Sequence, residues 1–187
     1  VEEFARLIKR IAIEASRMGF NLISIDEPIL GIMVGRKKPL HHDEDFIIKM
    51  LDIAFSGVKG IKSIHVCGNV PPKLIEMLLQ SSCNVLDHEF VGSPSNFKRF
   101  EKRQLEQYDK FLALGSILTK VVKKSDRVSD HVETIEWIKH HVSKGIDLYG
   151  KDRLLVKPDC GFGALRDTFG EEMAFKITQR KIENMVK

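Results

Sequence analysis

The feature that most constrains the fold of this chain is an alternation of short apolar segments with segments of helical spacing. The first 18 residues carry apolar side chains at helical spacing, and Gly19 follows as a natural helix stop. Five apolar runs come next, each followed by a helical segment; they lie at residues 20–25, 63–68, 84–89, 111–118 and 154–160. Short, continuous apolar strands that alternate with helices are typical of a parallel sheet covered on both faces. We therefore predict an α/β fold with five successive βα units.

Composition argues against several classes of partner. The 187 residues are 43% hydrophobic and 30% charged, which is ordinary for a globular protein. The net charge of +4 is spread along the chain without a basic stripe interleaved with aromatic residues, so we expect no nucleic-acid partner. No apolar run reaches membrane-spanning length and no signal-peptide pattern opens the chain, so we expect no membrane association. Three cysteines without a disulfide pattern favour a reducing, cytoplasmic location.

Local sequence signals place several helix boundaries. Asp43 is a good N-cap for the helix that follows it, and Pro72 is well placed in the first turn of a helix that runs to about residue 80. Further helices are predicted near residues 95–108 and 132–145, while residues 31–42 predict a basic loop. With helices between the strands, the carboxyl ends of the strands are the natural place for a site.

Polar side chains gather at those strand ends. His65 and Cys67 are two residues apart, so their side chains project from the same face of one strand. Glu89 ends the next apolar run, and Cys160 ends the last one. Imidazole, thiolate and carboxylate are all zinc ligands, and two thiolates favour zinc over magnesium or calcium. Donors dispersed over three strands suit an active site better than a structural zinc knuckle.

Each candidate donor also has an ordinary structural alternative. A single cysteine is often a core residue, and this is the preferred interpretation of Cys83. Glu89 taken alone could pair with a lysine. A histidine near a strand end is usually a hydrogen-bonded bystander, an interpretation that applies to His88, His131, His140 and His141. Spacing alone therefore leaves the zinc site open beside these alternatives.

Four short motifs follow one another along the chain: Ile25-Asp26-Glu27-Pro28, His65-x-Cys67, Glu89 and Pro158-Asp159-Cys160-Gly161. In this order they resemble the successive motifs of the cobalamin-independent methionine synthase family. The resemblance extends from about Asn21 to Cys160 and into the last helix, and the combination is specific although each motif alone would be weak. It implies a (β/α)8 TIM barrel of which this chain supplies about the last five strands. Residues 1–187 would then be the C-terminal part of a single catalytic domain whose first three βα units are absent here.

The resemblance also implies an activity and a set of residue roles. The activity is the zinc-dependent transfer of a methyl group to the thiol of homocysteine, which gives methionine. The family's zinc ligands match His65, Cys67, Glu89 and Cys160, and the residue that binds the amino group of homocysteine matches Asp26. A carboxylate that faces an ammonium group gives a charge-assisted hydrogen bond, which would orient the substrate.

The residues do not fix the methyl donor or the general acid. Family members carry a histidine shortly after the seventh strand that helps to protonate the leaving group, and residues 117–120 here contain none. His131 is the nearest candidate for this acid. The donor is methyltetrahydrofolate or a methylcorrinoid protein. Two alternatives stay open: a related zinc-dependent corrinoid and thiol methyltransferase with another acceptor, or a non-catalytic zinc-binding barrel fragment.

Overall fold

The computed structural model describes residues 1–34 and 43–187, in which five parallel strands form one sheet with helices between them. The strands are β1 (Leu22–Asp26), β2 (Ile61–Val66), β3 (Val85–His88), β4 (Phe111–Gly115) and β5 (Leu154–Lys157). The helices are α1 (Glu2–Arg17), α2 (Leu30–Met33), α3 (Glu44–Phe55), α4 (Pro72–Gln80), α5 (Lys102–Gln107), α6 (Ile135–Tyr149), α7 (Gly163–Phe169) and α8 (Glu171–Met185). Short 3₁₀ helices cover Pro94–Lys98, Val128–His131 and Lys151–Arg153.

The sheet has the topology of successive barrel units. Its strand order is sequential, from β1 to β5, and every neighbouring pair is parallel. The predicted α/β fold with five βα units is therefore confirmed. Within the described ranges the sheet is open, because β1 pairs only with β2 and β5 only with β4. Beside the free edge of β1, the apolar side chains of Phe4 and Ile11 are more than half exposed.

Several predicted helix boundaries hold. Asp43 Oδ1 accepts a hydrogen bond from the backbone N–H of Phe46 at 2.8 Å, so this aspartate caps α3. Pro72 is the first residue of α4, as predicted. The predicted basic loop differs at its start, where α2 forms, and residues 35–42 lie outside the described residues. None of the helices in the part of the chain that the structure describes is long and apolar enough to span a membrane.

The prediction of one continuous helix over residues 95–108 is wrong. The segment splits into the 3₁₀ helix Pro94–Lys98 and the short helix α5, which begins only at Lys102. The buried side chain of Asn96 accounts for the break, because it hydrogen-bonds to backbone groups of the loops that follow β2 and β3. These contacts hold the segment against the strand ends in a conformation that a longer α-helix could not keep.

The two faces of the sheet differ in chemistry. The helix-packed face carries the buried core residues Ile64, Val66, Leu86, Leu112 and Leu114, which pack against helix residues such as Phe55, Leu74 and Leu78. The opposite face, here called the inner face, carries Asp26, Ser63, His65, Asp87, Ala113 and Lys157, because side chains alternate along each strand. The inner face therefore carries His65 and the charged residues Asp26, Asp87 and Lys157, whereas His88 lies on the helix-packed face.

Candidate metal centre

Three neighbouring strands bring polar residues into one row on the inner face. In the register of the sheet, Asp26 of β1 pairs with His65 of β2, and His65 pairs with Asp87 of β3. Paired residues of a parallel sheet project their side chains toward the same face. The row therefore places a histidine between two aspartates at the carboxyl end of the sheet.

His65, Cys67 and Cys160 form a compact cluster at this end. Their candidate ligand atoms all lie within 4.8 Å of one another. His65 Nε2 is 3.2 Å from Cys67 Sγ, and Cys67 Sγ is 3.7 Å from the Sγ of Cys160. His65 is buried and both cysteines are half-buried, so the cluster is shielded but remains reachable from solvent. The fold thus brings together three of the four sequence-predicted ligands, although 93 residues separate the two cysteines.

The far side of the His65 ring contacts two charged residues. His65 Nδ1 is 2.7 Å from Asp87 Oδ1, and the same carboxylate oxygen accepts a hydrogen bond from the Lys157 ammonium group. Lys157 also donates to the carbonyl oxygen of Asp159 at 2.8 Å and lies 3.3 Å from His65 Nδ1. Asp87 and Lys157 therefore contact the imidazole ring at Nδ1, and Nε2 is directed at the cysteines.

The pKa values of these groups follow from burial and from their neighbours. Burial, reinforced by the contact with Cys160, raises the pKa of the Cys67 thiol to about 12. Burial has the largest single effect and lowers the pKa of His65, but the hydrogen bond to Asp87, the Asp87 charge and the contact with Cys160 together raise that pKa above its ordinary value. Burial raises the pKa of Asp87, whereas His65 and Lys157 together bring it below its ordinary value. Without a bound cation, the Cys67 thiol is thus protonated at neutral pH, and Asp87 is ionised.

Glu89, the fourth predicted ligand, is buried and follows β3 directly. Its Oε2 accepts a hydrogen bond from the Ser93 hydroxyl group at 3.4 Å. Its negative charge is close enough to Cys67 to help raise the pKa of that thiol. Glu89 is not one of the three residues whose ligand atoms converge within 4.8 Å, so its role as a ligand stays a prediction.

Two buried polar residues tie the loops of the site together. Asp159 accepts three backbone hydrogen bonds from the loop after Glu89, at 2.9, 3.1 and 2.6 Å, from the N–H groups of Phe90, Val91 and Gly92. Asn96 donates to the carbonyl oxygens of Gly68 at 3.0 Å and Glu89 at 2.7 Å. The loop that carries Glu89 is therefore bound both to the loop that carries Cys160 and to the loop after β2.

Asp26, the predicted substrate-binding residue, ends β1 on the strand next to His65. The backbone N–H of Glu27 donates to the His65 carbonyl oxygen at 2.9 Å, which holds the end of β1 against β2. The charge of Asp26 also helps to raise the pKa of Cys67, so this carboxylate lies near the cluster. Its role in binding an ammonium group stays a prediction.

Among the described residues, no hydrogen bond or ring contact joins His131, the candidate general acid, to His65, Cys67 or Cys160. His131 ends the 3₁₀ helix Val128–His131, is buried, and stacks edge-on against Phe169 with ring centroids 4.6 Å apart. Its Nε2 is 3.0 Å from the carbonyl oxygen of Ser125, and its Nδ1 has no hydrogen-bond partner within the described ranges. Its role as an acid stays a prediction.

Other residues that were interpreted as structural have packed surroundings. Cys83 is fully buried in the core of the helix-packed face. His88 is also fully buried there; it stacks on Phe100, and its Nδ1 is 3.2 Å from the carbonyl oxygen of Val66. Burial lowers the pKa of His88 to about 4, so the ring is neutral at physiological pH. His141 is buried too, with its pKa lowered by burial.

Comparison with known proteins shows the family of this chain. The whole chain, residues 1–187, matches the family model described as "Cobalamin-independent synthase, Catalytic domain". The chain belongs to the cobalamin-independent methionine synthase family. Over 186 residues it is 30% identical to the methionine synthase of Methanothermobacter thermautotrophicus, a match that covers 100% of this chain and 52% of that relative. The methionine synthase of Methanocaldococcus jannaschii is 29% identical over 195 residues, which cover 100% of this chain and 54% of the relative.

A solved structure shows the same fold. It is that of a B12-independent methionine synthase from Shewanella sp. W3-18-1 in complex with selenomethionine, with a TM-score of 0.66 and 19% sequence identity. The match covers 98% of this chain and 52% of that chain. Together with the family assignment it confirms the predicted TIM-barrel class. The chain spans about half the length of the relatives that it matches.

The donor set of the cluster fits the zinc ion that the family implies. Two thiol sulfurs and one imidazole nitrogen are ligands that zinc prefers and that magnesium and calcium do not. The Cys67 thiol, protonated in the absence of a cation, would ionise when a metal ion binds it. His65 already has a carboxylate partner on Nδ1, as zinc-bound histidines commonly do. These three observations are independent of the family assignment.

Sequence reasoning missed the charged residues behind His65. Asp87 stands between Leu86 and His88 inside an apolar run, and Lys157 ends the run Leu154–Lys157. A charged side chain inside a buried strand is rare unless it is paired, and this was the available signal. What the sequence could not supply is the register that places Asp87 beside His65.

Proposed function

We propose that this chain acts in the zinc-dependent transfer of a methyl group to the thiol of homocysteine, with methionine as the product. The observation that carries the proposal is the convergence of His65, Cys67 and Cys160 on the inner face of the sheet, with ligand atoms within 4.8 Å. Membership of the family and two relatives named methionine synthase support the same activity.

The residues of the cluster would divide the work of binding the metal and the substrate. Cys67 and Cys160 would supply sulfur, His65 would supply Nε2, and the nearby carboxylate of Glu89 would be the donor most easily exchanged for a substrate thiol. A bound Zn²⁺ would keep that thiol ionised near neutral pH, which makes it a nucleophile toward a methyl donor. The half-buried position of the cysteines limits access of water to the reacting sulfur.

Asp26 would orient the substrate. Its carboxylate, on the strand next to His65, would accept a charge-assisted hydrogen bond from the ammonium group of homocysteine. Holding the amino group and the thiol at two fixed points would leave the substrate sulfur in one orientation toward the donor. The position of Asp26 in the same register row as His65 supports this division of roles.

The methyl donor in this proposal is methyltetrahydrofolate or a methylcorrinoid protein. A folate leaving group needs a proton, and His131 is the candidate to deliver it. Its unpartnered Nδ1 supports that role, because this nitrogen is free of other hydrogen bonds within the described ranges. A corrinoid donor would not require the same acid.

The proposal also covers the domain organisation of the chain and the cellular compartment in which it acts. Residues 1–187 would form the C-terminal part of one catalytic barrel, and the exposed apolar residues Phe4 and Ile11 beside β1 would pack against its remaining units. The location would be cytoplasmic. Cys67 and Cys160 lie 3.7 Å apart and would pair as a disulfide in an oxidising compartment, so the proposed metal site requires a reducing one.

Methyl transfer to homocysteine tests the proposal. The complete gene product, loaded with zinc, is incubated with homocysteine and either methylcobalamin or methyltetrahydrofolate, and methionine is measured. We expect methionine from at least one donor, and none after the zinc has been removed with a chelator. Zinc binding without methionine from either donor would contradict the proposed activity and favour a non-catalytic zinc-binding domain.

A further inference from the structure

Asp87 and Lys157 form a charged pair directly behind a predicted metal ligand. Asp87 Oδ1 is 2.7 Å from His65 Nδ1 and also accepts a hydrogen bond from the Lys157 ammonium group. The side chains of Asp87 and Lys157 are 15% and 19% exposed, so water competes little for these contacts. The pair therefore acts on the imidazole ring from the side opposite to the cysteines.

The hydrogen bonds around His65 indicate which of its ring nitrogens carries the proton. Two acceptors do not approach to 2.7 Å without a proton between them, so either His65 Nδ1 or the Asp87 carboxyl group must be the donor. The oxygen that faces His65 already accepts from the Lys157 ammonium, as an ionised carboxylate does. The proton therefore belongs to Nδ1, and the lone pair of the ring is on Nε2, 3.2 Å from Cys67 Sγ.

Lys157 reaches Asp87 across one intervening strand. Lys157 ends β5 and Asp87 lies on β3, so the lysine spans β4 at the register position of Gly115. Lys157 is also fixed by its 2.8 Å hydrogen bond to the Asp159 carbonyl oxygen, next to Cys160. The lysine thus links the strand of one ligand to the loop of another.

We propose that Asp87 and Lys157 are positioning residues for the metal centre, which hold His65 in the tautomer and orientation that present Nε2 to the ion. Asp87 accepts the hydrogen bond from Nδ1–H, and Lys157 keeps the Asp87 carboxylate in place. The inference rests on the metal site of the proposed function but not on the methyl transfer itself. It assigns a role to two residues that neither the motifs nor the family match single out.

A second lysine–carboxylate pair supplies a matched control. Lys181 Nζ donates to Glu133 Oε2 at 2.6 Å, and the Glu133 side chain is 15% exposed, the same value as for Asp87. Glu133 contacts no histidine in the hydrogen bonds of the described residues. Loss of a partly buried carboxylate is therefore shared by Asp87→Ala and Glu133→Ala, whereas loss of a histidine partner is specific to Asp87→Ala.

The first measurement is zinc affinity, by competition with a chromophoric chelator, in the full chain. We expect Asp87→Ala to bind zinc about 10- to 100-fold more weakly than the unmodified protein, the usual effect of removing the carboxylate partner of a ligand histidine. Asp87→Asn, which has the same size and keeps an acceptor oxygen, should recover part of that loss. Lys157→Met should weaken binding by a smaller factor, and Glu133→Ala should leave the affinity unchanged.

The second measurement is the tautomer of His65 in the zinc-free protein, read from ¹⁵N chemical shifts of its ring nitrogens. We expect the proton of the neutral ring on Nδ1 in the unmodified protein, and a shift of population toward the Nε2–H form in Asp87→Ala. A merely structural ion pair would not change this signature. Asp87→Leu, which is close in size and also lacks an acceptor, serves the same test if Asp87→Ala does not fold.

The outcomes separate the two proposals. Unchanged zinc affinity and an unchanged His65 tautomer in Asp87→Ala, or in Asp87→Leu if Asp87→Ala does not fold, would overturn the positioning role. If the unmodified protein binds no zinc, the metal site of the proposed function fails, and the tautomer measurement then shows separately whether Asp87 sets the state of His65. Equal losses of affinity in Asp87→Ala and Glu133→Ala would also overturn the inference, because the effect would then come from the fold.

Discussion

The helix-packed face and the inner face of the same strands are built in different ways. On the helix-packed face, Ile64, Leu86 and Leu112 are fully buried in one apolar core. On the inner face, His65, Asp87 and Lys157 are connected by hydrogen bonds and ionic contacts. Burial of apolar area stabilises the helix-packed face. The inner face instead carries polar and charged groups, which are stable when buried only if they are paired.

This difference teaches that adjacent residues of one strand have separable roles. Ile64 and His65 are neighbours in the sequence, yet one packs against helices and the other belongs to the candidate metal centre. Because side chains alternate along a strand, a change on one face should leave the other face largely intact. Changes on the inner face should alter metal and substrate binding, and changes on the helix-packed face should alter the free energy of unfolding.

The largest expected effect is loss of the metal after Cys67→Ser or Cys160→Ser. A serine hydroxyl does not ionise as a thiol does, so a three-donor cluster would lose one of its ligands. Metal analysis should find about one zinc per chain in the unmodified protein and almost none in either variant. The control is Cys83→Ser on the helix-packed side, which should keep its zinc. Stoichiometric zinc in both site variants would refute the assignment.

A smaller effect, on the stability of the fold and not on metal binding, is expected from Leu112→Ala. Leu112 is fully buried in the helix-packed core, so its truncation should lower the free energy of unfolding by about 2–5 kcal/mol. Leu22→Ala, the same change at a residue of β1 that is 44% exposed, should cost less than about 1 kcal/mol. Chemical denaturation measures both values. Zinc content should be unchanged in both variants, and similar losses of stability in the two would contradict the comparison.

The pH dependence of stability should reveal the neutral His88 of the helix-packed face. Its pKa falls from the ordinary 6.5 to about 4 in the folded protein, so between these values the unfolded chain binds more protons than the folded one. The stability that this group contributes is complete above about pH 6.5 and is lost as the pH falls toward 4. The full difference is on the order of 3 kcal/mol.

Comparison with His88→Leu isolates this contribution. Denaturation curves at a series of pH values should show the unmodified protein losing more stability than His88→Leu between pH 6.5 and about 4. Zinc-free protein is used for both, so that proton competition at the metal ligands does not enter. Parallel pH profiles for the two proteins would show that His88 is not held neutral by burial.

The smallest expected effect is on substrate binding. Asp26→Asn keeps the size of the side chain but removes the charge that would pair with the ammonium group of homocysteine. Calorimetry on the zinc-loaded protein should show about tenfold weaker homocysteine binding, or about 1.4 kcal/mol, with zinc content unchanged. Glu27→Gln removes a charge from the same strand end and should have little effect. Equal homocysteine affinity in Asp26→Asn and the unmodified protein would remove Asp26 from the site.

Much of the fold and part of the site could be predicted from local sequence. The spacing of His65 and Cys67 places both on one side of a strand, and the structure finds their ligand atoms 3.2 Å apart. Alternation of apolar runs with helical segments predicted the five parallel strands. These features depend on residues close together in the chain, and the period of a strand or helix is enough to infer them.

The features that escaped prediction depend on register and on long-range polar contacts. Asp87 reaches His65 across 22 residues, and Lys157 reaches Asp87 across 70. Asn96 breaks the helix predicted over 95–108 because its side chain bonds to loops from two other strands. No local period encodes such partners.

X-ray absorption at the zinc edge, with and without homocysteine, tests whether a metal bound by the cluster coordinates the substrate thiol. In the zinc-loaded protein, the spectrum should show sulfur ligands from Cys67 and Cys160 together with the His65 nitrogen. Addition of homocysteine should raise the number of sulfur ligands by one and reduce the contribution of lighter donors. A sulfur count that stays the same at saturating homocysteine, in protein that carries stoichiometric zinc, would contradict the proposed chemistry.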